Sequence, residues 1–238
     1  MNNADLEEKM SNIVIGIEGE VASGKTSTCR SLVKMIDNSA FIDGGAIYRG
    51  IILALKQSKV DLRNLFTEKN VNALDIMKKL KVEFLIKNHE TIVCIDGNEV
   101  NNNSIQNAQN AMDVSKMASL ADNSSLFMFA RHIIDEYKKK YNIIVSARDL
   151  VAIYPDMTCH IYITADLEER VKRRYNEYNG KYSIAEIRKM IVERDRLHEK
   201  AGFNLRCAKS ITIDVTECKS AEESAKKIYE KLKEMNIL

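Results

Sequence analysis

Residues 13–26, IVIGIEGEVASGKT, constrain what this chain can fold into more than any other stretch. A β-branched run (Ile13, Val14, Ile15, Ile17) leads into Gly19, and Gly19 to Thr26 fits G-x-x-x-x-G-K-[ST]. Four residues between the glycines let the backbone curl until successive N–H groups point at one centre, where an anion fits. Gly19, Glu20, Val21, Ala22, Ser23, Gly24, Lys25, Thr26 and Ser27 are therefore the expected phosphate-binding loop. Gly24 permits close approach, Lys25 carries charge to the outer phosphates, and the Thr26 hydroxyl can hold Mg²⁺. Leu32, Val33, Met35 and Ile36 predict a helix whose N-terminus faces the anion. The alternative, a chance glycine-rich turn, does not account for strand, loop and helix occurring in the required order.

Composition narrows the partners. With 36 basic and 34 acidic residues the net charge is +2, so bulk charge makes no case for nucleic acid or an anionic membrane, and any anion site must come from local clustering. The 238 residues suit one α/β domain with an insertion. Five scattered cysteines without C-x-x-C suggest reduced thiols in a cytoplasmic protein and argue against a zinc site. The start, MNNADLEEKMSN, is acidic and polar, so no signal peptide is expected, and no apolar run approaches a membrane span. A monomer is expected.

Strand-like and helix-like stretches alternate along the chain. A strand near Ala40–Asp43 precedes a helix over Ala46–Lys56, and 62–80 read as helical with a break near Asn70 and Asn72. The rhythm then changes. Lys81–Lys87 and Thr91–Asp96 are β runs joined through Asn88-His89-Glu90, and Asp96-Gly97-Asn98 marks a second turn before Glu99-Val100. This small antiparallel meander reads as an inserted subdomain. Helices are expected at 107–119 and 124–140, and buried parallel strands at Asn142–Ser146 and His160–Thr164. Asp166 with Glu169, Ser183 with Glu186, and Ser220 with Glu223 carry capping-box spacing for the last three helices, and Ile211–Val215 is the last strand.

Functional groups in a parallel α/β sheet gather where strands end and helices begin. Asp43-Gly44-Gly45-Ala46-Ile47-Tyr48-Arg49 follows one strand; its bland reading is a glycine turn plus a surface arginine. Ser146-Ala147-Arg148-Asp149 follows another, where a guanidinium suits phosphate and a carboxylate suits an amino group, unless the two merely pair with each other. Arg170, Arg173 and Arg174 share one helix side, either around an anion or paired locally, Asp166 with Arg170 and Glu169 with Arg173. Glu193-Arg194-Asp195-Arg196 with Lys200 looks, alone, like a charged helix end. The four histidines show no ligand spacing, so no metal is expected beyond Mg²⁺ carried in with nucleotide.

GTPase signatures D-x-x-G and N-K-x-D are missing, as is an LSGGQ-like transporter motif. The order of the clusters resembles bacterial-type cytidylate kinases, within the nucleoside monophosphate kinase group. The resemblance runs from about Ile13 to Leu232. It includes G-E-V-A-S-G-K-T, then F-I-D-G-G-A-I-Y-R-G, similar to the family's D-S-G-A-I-Y-R. The hairpin V-E-F-L-I-K…T-I-V-C-I-D-G-N-E-V follows, then S-A-R-D, similar to the family's D-G-R-D. E-E-R-V-K-R-R, E-R-D and I-D-V-T complete it. The D-G-G-A-I-Y-R stretch together with the hairpin is the specific part.

The resemblance implies an α/β fold of the P-loop NTPase type. A mostly parallel sheet flanked by helices (1–60 and 106–238) would carry an arginine lid at about 166–182 and an inserted antiparallel β/helical acceptor-binding subdomain at 61–105. It implies transfer of phosphate from ATP, with Mg²⁺, to CMP or dCMP. Tyr48, Arg49, Arg148 and Arg194 would hold the acceptor, with Asp43 and Gly44 beside it. Asp149 would accept a hydrogen bond from the cytosine amino group. Lys25, Arg148, Arg170 and Arg174 would neutralise the transferring phosphate, and Arg170 and Arg174, with Arg173, would form the lid. Several positions depart from the pattern. The family's serine in D-S-G is Gly44, and its base-reading arginine is Gln106. Its R-D-x-x-D-x-x-R gives Arg194, Asp195, His198 and Ala201, with Lys200 near the last arginine. A kinase for another nucleotide or small metabolite, or a nucleotide-binding regulatory module without turnover, are the alternatives.

Overall fold

The computed structural model describes residues 12–58, 72–101, 105, 123–200 and 210–238, with backbone alone at 123–126. The expected helix at 107–119, the first half of 62–80, Gln106 and Ala201 lie outside the described residues.

Eight strands form one mixed sheet in the order β3-β4-β2-β6-β1-β7-β8, with β5 on β4. They are β1 (Val14–Gly19), β2 (Ser39–Asp43), β3 (Val82–Lys87), β4 (Glu90–Ile95), β5 (Asn98–Glu99), β6 (Asn142–Ser146), β7 (Cys159–Thr164) and β8 (Ser210–Asp214). β2, β6, β1, β7 and β8 run parallel, and β3–β4–β5 is the antiparallel meander. The central strands are apolar at nearly every position because both their faces are covered. On one face Val14, Ala40, Ile42, Ile143 and Val145 pack beneath α2 (Gly44–Ser58), α3 (Ala73–Lys79), α4 (Asn123–Lys138) and α5 (Leu150–Ile153). On the other, Ile15, Ile17, Phe41 and Ile144 pack beneath α1 (Lys25–Leu32) and α8 (Ala221–Glu234). α6 (Leu167–Glu177) and α7 (Ile184–Lys200) form a separate hairpin over the phosphate loop.

The meander hydrogen-bonds to the main sheet. β4 runs parallel to β2, with Phe41 opposite Glu90, and the Thr91 hydroxyl donates to Phe41 O at 2.9 Å. β3 alternates buried Val82 and Phe84 with exposed Glu83 and Leu85, as a sheet covered on one face should. The break expected near Asn72 is the N-cap of α3, where Asn72 Oδ1 accepts from Asp75 N at 2.9 Å.

One of the three capping boxes forms in full, and a second forms its serine half, with Glu223 reaching Lys219 N–H instead of Ser220 N–H. Ser183 N–H donates to Glu186 and Glu186 N–H donates back to Ser183, while Ser220 Oγ accepts from Glu223 N. The Asp166 box does not form. Its side chain makes no cap bond, its N–H is given to Thr216 Oγ1, and Glu169 is engaged by Arg173 Nε. No helix among the described residues is long and apolar enough to cross a membrane.

Candidate active site

The end of β1 approaches β7 so closely that a Cβ on Gly19 would lie 2.1 Å from the Ile163 carbonyl oxygen, and Gly19 has φ 151. Only glycine fits where the chain must turn away from the sheet. The loop then leads to Gly24 (φ 91), which caps α1 without a side-chain bond. A helix start without a side-chain cap leaves its first-turn N–H groups open to an anion. Lys25 Nζ donates to Gly19 O and Glu20 O, each at 2.7 Å, and Ser27 Oγ donates to Gly24 O. Burial, followed by the Arg148 cation, lowers the Lys25 ammonium to about 8.

The α6–α7 hairpin clamps this loop. Val21 packs with Val171, Ile187 and Ile191. Its N–H donates to Asp195 Oδ1 at 3.0 Å, and its carbonyl accepts from Arg170 Nη1 at 3.2 Å. Arg170 also donates to Ala165 O at 2.9 Å, pairs with Asp195, and lies 3.5 Å from Glu20. Its side chain is thus not paired with Asp166; buried beneath the loop, it braces the loop against α7. A guanidinium buried among carbonyls and carboxylates stays there because its donors match that set of acceptors. Asp195, read alone as part of a charged helix end and matched by the E-R-D of the resemblance, is the carboxylate that closes the clamp.

Arg173 pairs with Glu169 at 3.0 Å, as its local reading expected, yet it also donates to Ser23 O and to the Val215 carbonyl, joining the loop to the end of β8. Arg174 faces the cleft. It pairs with exposed Glu177, sits over the Tyr178 ring at 5.5 Å, and stands close enough to Arg194 to depress that guanidinium, after burial. The two arginines flank a 230 Å³ crevice with Tyr178 and Val21.

The acceptor wall rises from the ends of β2 and β6. Asp43 caps α2 through Ala46 N and lies 3.7 Å from Arg49. Tyr48 Oη and Arg49 Nε are buried with no hydrogen-bond partner among the described residues. Burial pushes the Tyr48 hydroxyl up, and Asp149 adds to it. The walls around Arg148, then the Arg194 and Arg49 cations, lower its guanidinium to about 10; Asp149 is not its partner, so the mutual ion pair is not formed. Asp149 sits in the left-handed region (φ 61, ψ 42) as the cap of α5, its carboxyl raised by burial and then by Glu18. His198, where the family pattern has aspartate, is buried and held at about 4 by burial and by Arg148, Arg194 and Lys25, so it is neutral near pH 7. Lys200 is exposed at the end of α7, near enough to Glu193 to act on its carboxyl. A cavity of about 470 Å³ opens beside Asp43 and Ala46, between Arg30 on α1 and the β4 wall of Glu90 to Val93, with Asn101 and Ile105 on its far side.

Residues 15–234 match the family model for cytidylate kinase. The chain belongs to the cytidylate kinase family. It is 32% identical over 188 residues to the cytidylate kinase of Chloroherpeton thalassium, covering 76% of this chain and 72% of that protein. The Clostridioides difficile cytidylate kinase is 27% identical over 229 residues, covering 94% and 99%. Among solved structures, the shikimate kinase of Bacteroides thetaiotaomicron aligns over 94% of this chain and 98% of its own, at 11% identity and a TM-score of 0.46. This cytidylate kinase family member is an ATP-dependent nucleoside monophosphate kinase.

The family's D-S-G and D-G-R-D become D-G-G and S-A-R-D here, and the two changes meet in space. A Cβ on Gly44 would lie 2.6 Å from the Ala147 Cβ and 3.2 Å from Ser146 O. The methyl of Ala147 occupies the space that a side chain at 44 would need.

Proposed function

We propose that the acceptor is CMP or dCMP and that the products are ADP and the corresponding diphosphate. The observation that carries this reading is the acceptor wall itself. The buried, unpartnered Tyr48 Oη and Arg49 Nε stand in a wall where Arg148 and Arg194 converge as cations and Asp149 supplies a carboxylate beside the Tyr48 hydroxyl. Like charges crowd together at a cost unless an anion joins them, so the arginines suit the acceptor phosphate. A carboxylate offers only acceptor lone pairs, so Asp149 suits an exocyclic amino group such as cytosine N4. The cavity beside Asp43 lies within the usual range for small-molecule sites, roughly 300–1,000 Å³.

On the donor side the loop fits a triphosphate. Lys25 Nζ folds back onto the loop carbonyls of Gly19 and Glu20, and the half-buried Thr26 at the start of α1 would offer its hydroxyl to Mg²⁺. Bound Mg²⁺ supplies charge neutralisation at the phosphates. The chain's residues do the rest. Lys25 exchanges its carbonyl partners for phosphate oxygens. Arg49, Arg148 and Arg194 orient the acceptor phosphate, and Arg174 closes from the lid. The acceptor oxygen is already anionic, so it forms the new bond to the γ-phosphorus without a strong base, while the bond from that phosphorus to the β,γ-bridging oxygen breaks and the oxygen departs on ADP. Catalysis is positioning and electrostatic stabilisation.

The test is ADP release from ATP with each of CMP, dCMP, UMP, TMP, AMP and GMP, and with no acceptor. CMP or dCMP should give the highest specificity constant, with little ATP use in its absence. Equal ATP consumption without any monophosphate would refute the transfer assignment.

A further inference from the structure

A second polar chain runs through the core behind the phosphate loop and the acceptor wall. Glu18 in β1 is fully buried. Its Oε1 accepts the Leu150 N–H at 3.0 Å, and its Oε2 lies 2.8 Å from His160 Nε2. His160, 2% exposed on β7, meets Ser210 Oγ on β8 through Nδ1 at 2.6 Å, and Ser210 is its register partner in the sheet. A buried carboxylate persists only where donors reach its oxygens, and both oxygens have one here.

The Leu150 N–H belongs to the first turn of α5, whose cap Asp149 makes no side-chain bond to it. An aspartate at a helix start ordinarily spends its carboxylate on those N–H groups. Here the first of them, Leu150 N–H, goes instead to Glu18 on the neighbouring strand. Asp149 has a left-handed backbone, a conformation that aspartate adopts more readily than most non-glycine residues. Glu18 is also the charge that, after burial, raises the Asp149 carboxyl, against the pull of the nearby Ala152 N–H.

We propose that Glu18, His160 and Ser210 form a positioning relay that fixes Leu150 and thereby aims Asp149 at the acceptor base. The relay sets how strongly the enzyme prefers an amino-edged pyrimidine over a carbonyl-edged one. This rests on Asp149 being the base reader. His160 and Ser210 touch no substrate, so they are positioning residues acting through Glu18.

The experiment measures kcat and KM for CMP, UMP and ATP, with melting temperatures, in wild type, His160→Gln, Ser210→Ala and Asp149→Asn. In His160→Gln the CMP:UMP ratio of kcat/KM should fall by about three- to tenfold, through a higher KM for CMP, while KM for ATP stays within about twofold. Ser210→Ala should move the ratio the same way by about twofold. A merely structural role would lower the melting temperature and affect both acceptors alike. If His160→Gln leaves the ratio unchanged while Asp149→Asn narrows it, the relay is wrong and the base reader stands. If Asp149→Asn itself leaves the ratio unchanged, the base reader fails and the relay with it. Should His160→Gln not fold, Ser210→Ala decides, and an unchanged ratio there overturns the relay.

Discussion

Replacing Arg170 by alanine should destabilise the enzyme as well as slow it, and Arg174 provides the contrast. The Arg170 side chain is 9% exposed, with donors on Ala165 O, Val21 O and Asp195 and with Glu20 nearby. Truncation strips two carbonyls of a donor and leaves Asp195 without its cation. Breaking a fully buried pair costs about 3–5 kcal/mol. Asp195 and Glu20 keep 27% and 26% of their side-chain surface open, so water recovers part of that loss. The expected loss is about 2–4 kcal/mol, which lowers Tm by roughly 5–15 °C for a chain of this length. Arg174 pairs with a Glu177 side chain that is 62% exposed. Its removal should change stability by about 0–1 kcal/mol while still slowing turnover. Thermal melts followed by ADP-release kinetics on the folded fraction separate the two. A folded Arg170→Ala enzyme melting within 2 °C of wild type, the ~2 °C limit being that of an exposed pair, would refute the bracing role.

Lys25→Ala should fold normally and lose at least about a hundredfold in turnover, read by the same assay, because one strong charge stabiliser is gone. Gly44→Ser should destabilise by about 1–3 kcal/mol through overpacking against Ala147, and adding Ala147→Gly should restore most of it in a denaturant melt. Lys25 is held at about 8, so above that pH it is neutral until phosphate restores its charge. Nucleotide binding at pH 9 should therefore take up close to one proton, and at pH 7 almost none, measured by calorimetry in buffers of different ionisation enthalpy. His198, held at about 4, binds a proton in the unfolded chain before it does in the folded one. Stability should accordingly fall as pH drops from 6.5 toward 4, by up to about 1.4 kcal/mol per pH unit, and His198→Asn should flatten that slope in thermal melts.

The loop and the alternation of strands and helices around it were legible because their signals are local. Glycines at fixed spacing, β-branched runs and an arginine one turn into a helix each speak within a few residues. The misreadings concern long-range partners. Arg170, Arg173 and Arg174 look equivalent at helical spacing, yet only the fold decides that Arg170 points beneath the loop toward Asp195, 25 positions away. Glu18 reads as part of the phosphate-loop strand because its partner His160 lies 142 positions on. Asp166 had the spacing of a cap, and lost that role when Thr216 took its N–H and Arg173 took Glu169. The meander was recognised from its turns, whereas its pairing with β2 depends on the strand order, which no local signal carries.

The most direct measurement is competition between CMP and UMP for limiting enzyme with saturating ATP, with both diphosphates quantified from one tube. Two acceptors facing each other across Asp149 would leave a buried group unpaired, at about 1–3 kcal/mol. CDP should therefore form faster than UDP by roughly tenfold to a hundredfold at equal concentrations. Faster formation of UDP would contradict the assignment of Asp149 as the reader of an amino edge.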